Sequence, residues 1–194
     1  VKIVRPHIYE SIDIESHLRS RGVNPNSKGL FIDPKSGDAH FLLYNLSGQL
    51  VGYQKYNPNL PKEGVLKDKG RYYSYIGAEG NTKKMAVWGL QSYDPDSELL
   101  FVCEGIFDAV KIHNAGYSAI AVLGNDPSPI KNWLRTLNQI VIVISDNDDA
   151  GRRLNKFGDF SFSVEGGKDL GDLSKDQANE FIEEKIKEIL NKYE

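Results

Sequence analysis

A single cysteine, Cys103, occurs in the 194 residues of the chain. One cysteine excludes an intrachain disulfide framework and any cysteine-based zinc module. The four histidines, His7, His17, His40 and His113, are scattered and show no metal-ligand spacing. No stretch approaches the ~18 uninterrupted apolar residues of a membrane span, so no membrane partner is expected. The first residues, VKIVRPHIY, lack the apolar centre of a signal peptide. Together these absences predict an intracellular, cytoplasmic protein. The chain opens at Val1 and its one methionine is Met85, which implies a fragment or a processed chain. Charge of either sign is not in large excess. The net value of −3 argues against tight standalone DNA binding driven by bulk charge.

The distribution of charge says more than its sum. Residues 52–84 hold seven Lys and Arg against three acids, and most acids lie in the C-terminal half. That asymmetry fits a basic track beside an acidic site.

The chain changes rhythm near residue 95. Before it, Ser11 to Arg21 reads as a helix with Ser11 as N-cap and Gly22 as stop. Leu30–Ile32, His40–Tyr44, Gln49–Tyr56 and Arg71–Ile76 read as short strands, the middle two as a hairpin. After it, strands and helices alternate. Leu99–Cys103, Ala119–Leu123, Ile140–Ser145 and Phe160–Val164 are strand patterns. Ile106–Asn114, Pro129–Leu137, Ala150–Phe157 and Lys175–Lys192 are helical, with Asp172 or Ser174 capping the last. Such alternation predicts βαβ units and a parallel sheet. The expected fold is therefore α/β: a parallel sheet flanked by helices over residues 96–194, preceded by a small basic α+β subdomain with antiparallel strands over residues 1–95.

Acids mark the ends of two of these strands. Leu99 to Cys103 run into Glu104, Gly105 and Asp108. Ile140 to Ile144 run into Asp146, Asp148 and Gly151. In parallel sheets the functional loops lie at the strand C-termini. Asp146 and Asp148, two apart in extended backbone, point to one side. Oxygen-only clusters of this kind suit Mg²⁺, which binds through one or two carboxylates plus substrate phosphates. A third loop, Gly166 to Leu173, follows the fourth strand and offers Asp169. For Asp108 and Asp169 a plain capping role weighs about as much as a functional one, and Asp149 reads as a solvated first-turn acid.

At these residues the sequence resembles the Toprim domain shared by primases, topoisomerases and some nucleases. The resemblance rests on Glu104-Gly105-Ile106-Phe107-Asp108 and on Asp146-Asn147-Asp148-Asp149-Ala150-Gly151, with a βα unit between. Within that family it is most similar to the catalytic, RNA-polymerase domains of bacterial and phage primases. Asp146-Asn147-Asp148-x-x-Gly151-Arg152, Lys168-Asp169-Leu170-Gly171-Asp172-Leu173 and Ala86-Val87-Trp88-Gly89-Leu90 carry that closer likeness. Leu170 stands where the family usually has proline.

The resemblance implies Mg²⁺-dependent (or Mn²⁺-dependent) synthesis of short RNA primers from NTPs on a single-stranded DNA template. Glu104, Asp146 and Asp148 would be catalytic. Metal would be held by these three with Asp108 and Asp169. Lys55 and Arg71 would contact nucleotide or template, although ordinary surface charge explains them equally well. A replicative helicase or a zinc module, on the parent chain or in trans, would be a partner, because neither is encoded here. The alternatives are a Toprim-family metal-dependent nuclease and a non-catalytic nucleic-acid or replisome-binding module. A topoisomerase would need a DNA-gate domain for which the chain has no room.

Overall fold

The computed structural model describes residues 12–62, 69–77, 86–123, 128–146 and 151–192. It opens with α1 (Ile14–Ser20), whose N-cap is Asp13: the carboxylate accepts the Ser16 N–H at 2.8 Å. The predicted cap, Ser11, lies outside the described residues, and the helix begins three positions after it. Ile14 and Leu18, one turn apart, form its buried face. Gly22, at φ +82°, turns the chain away.

Four antiparallel strands follow in chain order: β1 (Leu30–Asp33), β2 (Asp38–Tyr44), β3 (Leu50–Tyr56) and β4 (Tyr72–Ile76). Along β2 burial alternates strictly, with Ala39, Phe41 and Leu43 inside. Register places Tyr56 opposite Ala39 on that inner face, and Lys55 opposite His40 on the outer one. The tyrosines pair across strands: Tyr53 stacks on Tyr75 at 5.6 Å and Tyr56 meets Tyr72 at 5.1 Å.

The second sheet is parallel, with β5 (Leu99–Cys103), β6 (Ser118–Ala121), β7 (Ile140–Ile144) and β8 (Phe160–Phe162) in the order β6-β5-β7-β8. The two central strands, β5 and β7, are continuously apolar because both of their faces are covered, while the edge strand β8 exposes Ser161 between its phenylalanines. Phe101, Cys103, Ala119, Ala121, Ile142 and Ile144 join the buried cluster with α2 (Ile106–Asn114), α5 (Lys175–Leu190) and the inner face of the first sheet. Leu100, Val102, Ile120, Val141 and Val143 face α3 (Lys131–Leu134) and α4 (Gly151–Leu154). Every antiparallel strand precedes residue 95 and every parallel strand follows residue 96, yet one hydrophobic cluster runs through both parts.

Several elements are shorter than expected. The predicted helix Pro129–Leu137 is a 3-10 turn (Ser128–Ile130) followed by the single turn of α3. Of the predicted helix Ala150–Phe157, the described residues 151–157 form α4 followed by a 3-10 turn, Asn155–Phe157. The second parallel strand stops at Ala121, and Leu123 adopts φ +59°. The fourth ends at Phe162, where its pairing with β7 runs out. Of the two caps weighed for the last helix, Ser174 is the one used. Its Oγ accepts the Gln177 N–H, and Gln177 Oε1 accepts the Ser174 N–H, a reciprocal capping box.

Val87 and Trp88 join the two sheets. Val87 exchanges hydrogen bonds with Tyr44 of β2 at 2.9 and 3.0 Å, and Trp88 exchanges two of 3.0 Å with Ala121 of β6. Gly89 follows at φ +96°, where a Cβ would stand 2.6 Å from the Ala119 carbonyl oxygen. Only glycine fits this step, which accounts for the Trp-Gly-Leu wording.

Candidate active site

Strand order locates the site. From β5 the chain crosses to β6 on one side, and from β7 it crosses to β8 on the other. Where neighbouring strands send their connections in opposite directions, a crevice opens beyond their carboxyl ends. The two strands here are β5 and β7, paired in parallel from Leu99↔Ile140 to Cys103↔Ile144. The residues beyond those ends are Glu104 and, after Ser145, Asp146.

Glu104 is partly buried, and its carbonyl accepts the Leu123 N–H at 3.0 Å, extending the β5–β6 ladder by one bond. Gly105 then caps α2 in extended conformation. A Cβ on Gly105 would stand 2.7 Å from Asp108 Oδ2, so this glycine lets the carboxylate fold back over the helix start. On the second strand, Gly151 allows the chain to return against Asp146. A Cβ there would lie 2.0 Å from the Asp146 carbonyl oxygen, which backbone cannot yield. Gly151 is therefore required by close approach of backbone, while a side chain at Gly105 would displace the Asp108 carboxylate.

Asp108 ties the loops together. Its Oδ1 accepts the Gly171 N–H at 2.7 Å, which holds the 3-10 turn Leu170–Asp172 against α2. Burial pushes its carboxyl up to about 7, and the charges of Asp146 and Asp169 add to the rise, while the bonds from Gly171 and Gly105 oppose it. The structure thus brings Asp108, Asp146 and Asp169 within electrostatic reach of one another. Burial, with Asp108 and Asp146 adding, also raises the neighbouring Cys103 thiol, which stays protonated. Asp148 and Asp149 lie outside the described residues. Among the described residues no three His, Cys, Asp or Glu side chains form a ready-made metal cage.

The raised Asp108 carboxyl has a consequence for stability. Its folded value of about 7 exceeds the ordinary 3.8, so the folded chain holds a proton that the unfolded chain has released. That contribution is complete below about pH 4 and disappears as pH rises through 7. In EDTA, Asp108 is therefore expected to lower the urea midpoint between pH 5 and pH 8, against the rise contributed by His17 and His113, whose values burial lowers, and Asp108→Asn is expected to make the midpoint fall less with rising pH, or to reverse its trend. An unchanged slope in the variant would assign the effect to other groups.

The proposed phosphate contacts divide. Lys55 stands on the outer face of the first sheet, 4.0 Å from Asp38, away from the Tyr56 face that packs on α2. Arg71 precedes β4 and donates from Nε to the Leu60 carbonyl at 3.1 Å. Its charge reaches His17, Tyr56 and Tyr72 on the inner side. Of the other lysines, Lys62 and Lys69 are exposed, while Lys67, Lys83 and Lys84 lie outside the described residues.

One residue beside the acids was missed from sequence. Arg21, at the end of α1, lays its guanidinium 4.2 Å from the Phe107 ring centre and pairs with Asp172 at 3.1 Å. It links the first helix to the same turn that Asp108 holds. Its partners lie more than 80 positions away in the chain, so no local pattern announces it. Tyr56 extends the contact, with its hydroxyl 2.7 Å from His17 Nε2 and its ring 4.8 Å from Phe107.

Comparison with known proteins agrees with this geometry. Residues 101–159 match the family described as Toprim-like. The chain is 30% identical over 157 residues to a DNA primase of Campylobacter jejuni, covering 69% of this chain and 24% of that protein. It therefore spans about a quarter of the length of that curated relative. Among solved structures it resembles a DnaG primase catalytic domain bound to single-stranded DNA, with a TM-score of 0.55 and 21% identity, covering 90% of this chain and 58% of that one. It also resembles the primase fragment of the bacteriophage T7 primase-helicase protein, with a TM-score of 0.54 and 16% identity, covering 77% and 62%. No helix among the described residues is long and apolar enough to cross a membrane. Residues 101–159 are a Toprim-like domain, and the chain that carries them is a homologue of the DNA primases with the fold of their catalytic domains.

Proposed function

We propose that this chain is the catalytic core of a DNA primase, making short RNA primers from NTPs on single-stranded DNA. The observation that carries the reading is the pair Glu104 and Asp146 at the ends of adjacent parallel strands, with Asp108 and Asp169 beside them. The residues present fit a hard divalent cation. Among the described residues, Asp108, Asp146 and Asp169 bring carboxylate oxygens within electrostatic reach of one another, and beyond the effect of burial the charges of Asp146 and Asp169 push Asp108 up, an excess of negative charge that a cation relieves. Mg²⁺ keeps several waters and takes few protein ligands, so one or two of these carboxylates suffice to hold it.

Asp146 and Asp148 would hold the metal with Glu104, while Asp169 supports from the third loop. When bound, such an ion neutralises triphosphate charge and favours in-line displacement. Glu104 accepts the proton of the attacking 3′-hydroxyl or shares in holding metal. Asp108, engaged with Gly171, positions the turn that carries Asp169. Arg71 supplies a forked donor to phosphate on the inner side of the first sheet, and Lys55 reaches phosphate from the outer one. The captured single strand on a domain of the same fold supports the template class, and the likeness to a primase-helicase fragment supports a helicase partner.

The test supplies single-stranded DNA, labelled NTPs and Mg²⁺ and separates the products on a gel. Short RNA, including dinucleotides, is expected. Shortened DNA without RNA would instead identify a nuclease, and DNA retention with neither product a binding module.

A further inference from the structure

Toward the C-terminal half of α2, a cavity of about 160 Å³ opens where α1, α2 and α5 meet. Arg19 and Ser20 line it from α1, Lys111 and Asn114 from α2, and Lys175 and Asn179 from α5. Three cations and no carboxylate face this space. Lys111 is the notable one, since only 6% of its surface is exposed. Its ammonium has no hydrogen bond or ion pair within the described residues. Three like charges gathered around one small cavity repel one another, and an anion between them relieves that repulsion.

The surroundings do not supply one. Asp172, the acid whose charge reaches Lys111, is already held by Arg21 at 3.1 Å. Arg19 shares Glu15 at 3.7 Å, but that pair is largely exposed and therefore weak. Lys175 begins the 16-residue α5, so the positive end of a long helix dipole adds to the same cavity. Asn179 Oδ1 is buried there without a hydrogen-bond partner. It needs a donor, which the O–H of a hydrogen phosphate provides and chloride does not.

We propose that this cavity is a binding site for a small phosphate anion, held by Lys111 with Lys175 and Arg19 and oriented by Asn179. Its volume lies below the ~300 Å³ at which pockets begin to enclose a drug-sized molecule, so a nucleoside does not fit inside. The occupant is inorganic phosphate or the terminal phosphate of a larger compound that stays outside. The site is separate from the acids at the ends of β5 and β7 and does not depend on their chemistry. Occupation would tie α5 to α2 one turn beyond Asp108.

Calorimetric titration of inorganic phosphate into the chain at pH 7 tests this, with EDTA present so that no metal draws phosphate to the acids. One saturable site is expected. Lys111→Gln should weaken it at least tenfold. Lys175→Gln, at an exposed position that folding does not need, should weaken it severalfold. Lys55→Gln and Arg71→Gln should leave it unchanged, which separates the cavity from the proposed nucleotide contacts. Competition by AMP would identify a terminal phosphate as an occupant, and its failure a free anion. The proposal is overturned if the wild type gives no saturable heat. It is equally overturned if Lys111→Gln and Lys175→Gln both bind as the wild type does, or if Arg71→Gln alone removes binding.

Discussion

Replacing Asp146 by alanine is expected to reduce metal-dependent RNA synthesis by ~10²–10³-fold or more, the loss typical of removing one preorganised charge from a reacting centre. The residue stands one position beyond β7, after Ser145, whose N–H is held by the Phe162 carbonyl at 3.1 Å, and β7 is buried on both faces, so the carboxylate rides on rigid backbone. Gly151 packs against its carbonyl and fixes the turn further. The substitution removes charge without opening the core. A structural explanation of the loss is checked in the same preparation. Asp146 is among the groups that push the Asp108 carboxyl up, so removing it relieves repulsion. The metal-free variant is therefore expected to remain folded at pH 8, which circular dichroism checks. Full primer synthesis by the variant would end the catalytic assignment. A loss of synthesis together with a loss of stability would show that Asp146 acts on folding instead.

Phe107→Ala should have the largest effect on stability, about 3–5 kcal/mol, the usual cost of emptying an aromatic site in a core. For a chain of this length that is roughly a 10 °C fall in Tm. Phe107 is 5% exposed and stands at the meeting point of both sheets. Its ring lies edge-on to Tyr56 at 4.8 Å and to Phe41 at 6.0 Å, and it carries the Arg21 guanidinium. Truncation removes all three contacts and frees Arg21 from its place beside Asp172. Phe107→Leu keeps much of the volume and should lose about half as much stability. If calorimetry finds alanine and wild type within about 1 kcal/mol, the two sheets are held together by something other than this ring.

The parallel half was legible because its signals are local. Leu99–Cys103 and Ile106–Asn114 were read to the residue: five apolar positions, a glycine to turn on, and a helix stopped before Gly116 leave little choice. Around Pro129 and in Ala150–Phe157 the pattern promised full helices, and the chain made single turns instead. A helix of one or two turns is decided by what it packs on, and propensity cannot supply that. The acids at the ends of β5 and β7 could be found from sequence because strand and loop are consecutive. That Asp108 grips Gly171, or that Arg21 reaches Phe107 and Asp172, could not, because these contacts exist only after the two halves meet. Lys55 shows the converse. Its place on β3 was readable, but the face it takes depends on which side of the sheet α2 covers.

The bonds made by Val87 and Trp88 bear on how the molecule comes apart. Val87 gives both its N–H and its carbonyl to β2, and Trp88 gives both of its own to β6, so these two strands cannot part without stripping hydrogen bonds from the strap. With Phe41 and Trp88 in edge contact at 6.4 Å and Trp88 stacked on His113 of α2 at 5.4 Å, the strap is anchored by its side chains as well. Amide protons at Tyr44, Val87, Trp88 and Ala121 are thereby placed in one cooperative unit whose opening is the opening of the whole core. The change of rhythm near residue 95 coincides with the change from antiparallel to parallel strands among the described residues. In solvent exchange it would leave no trace.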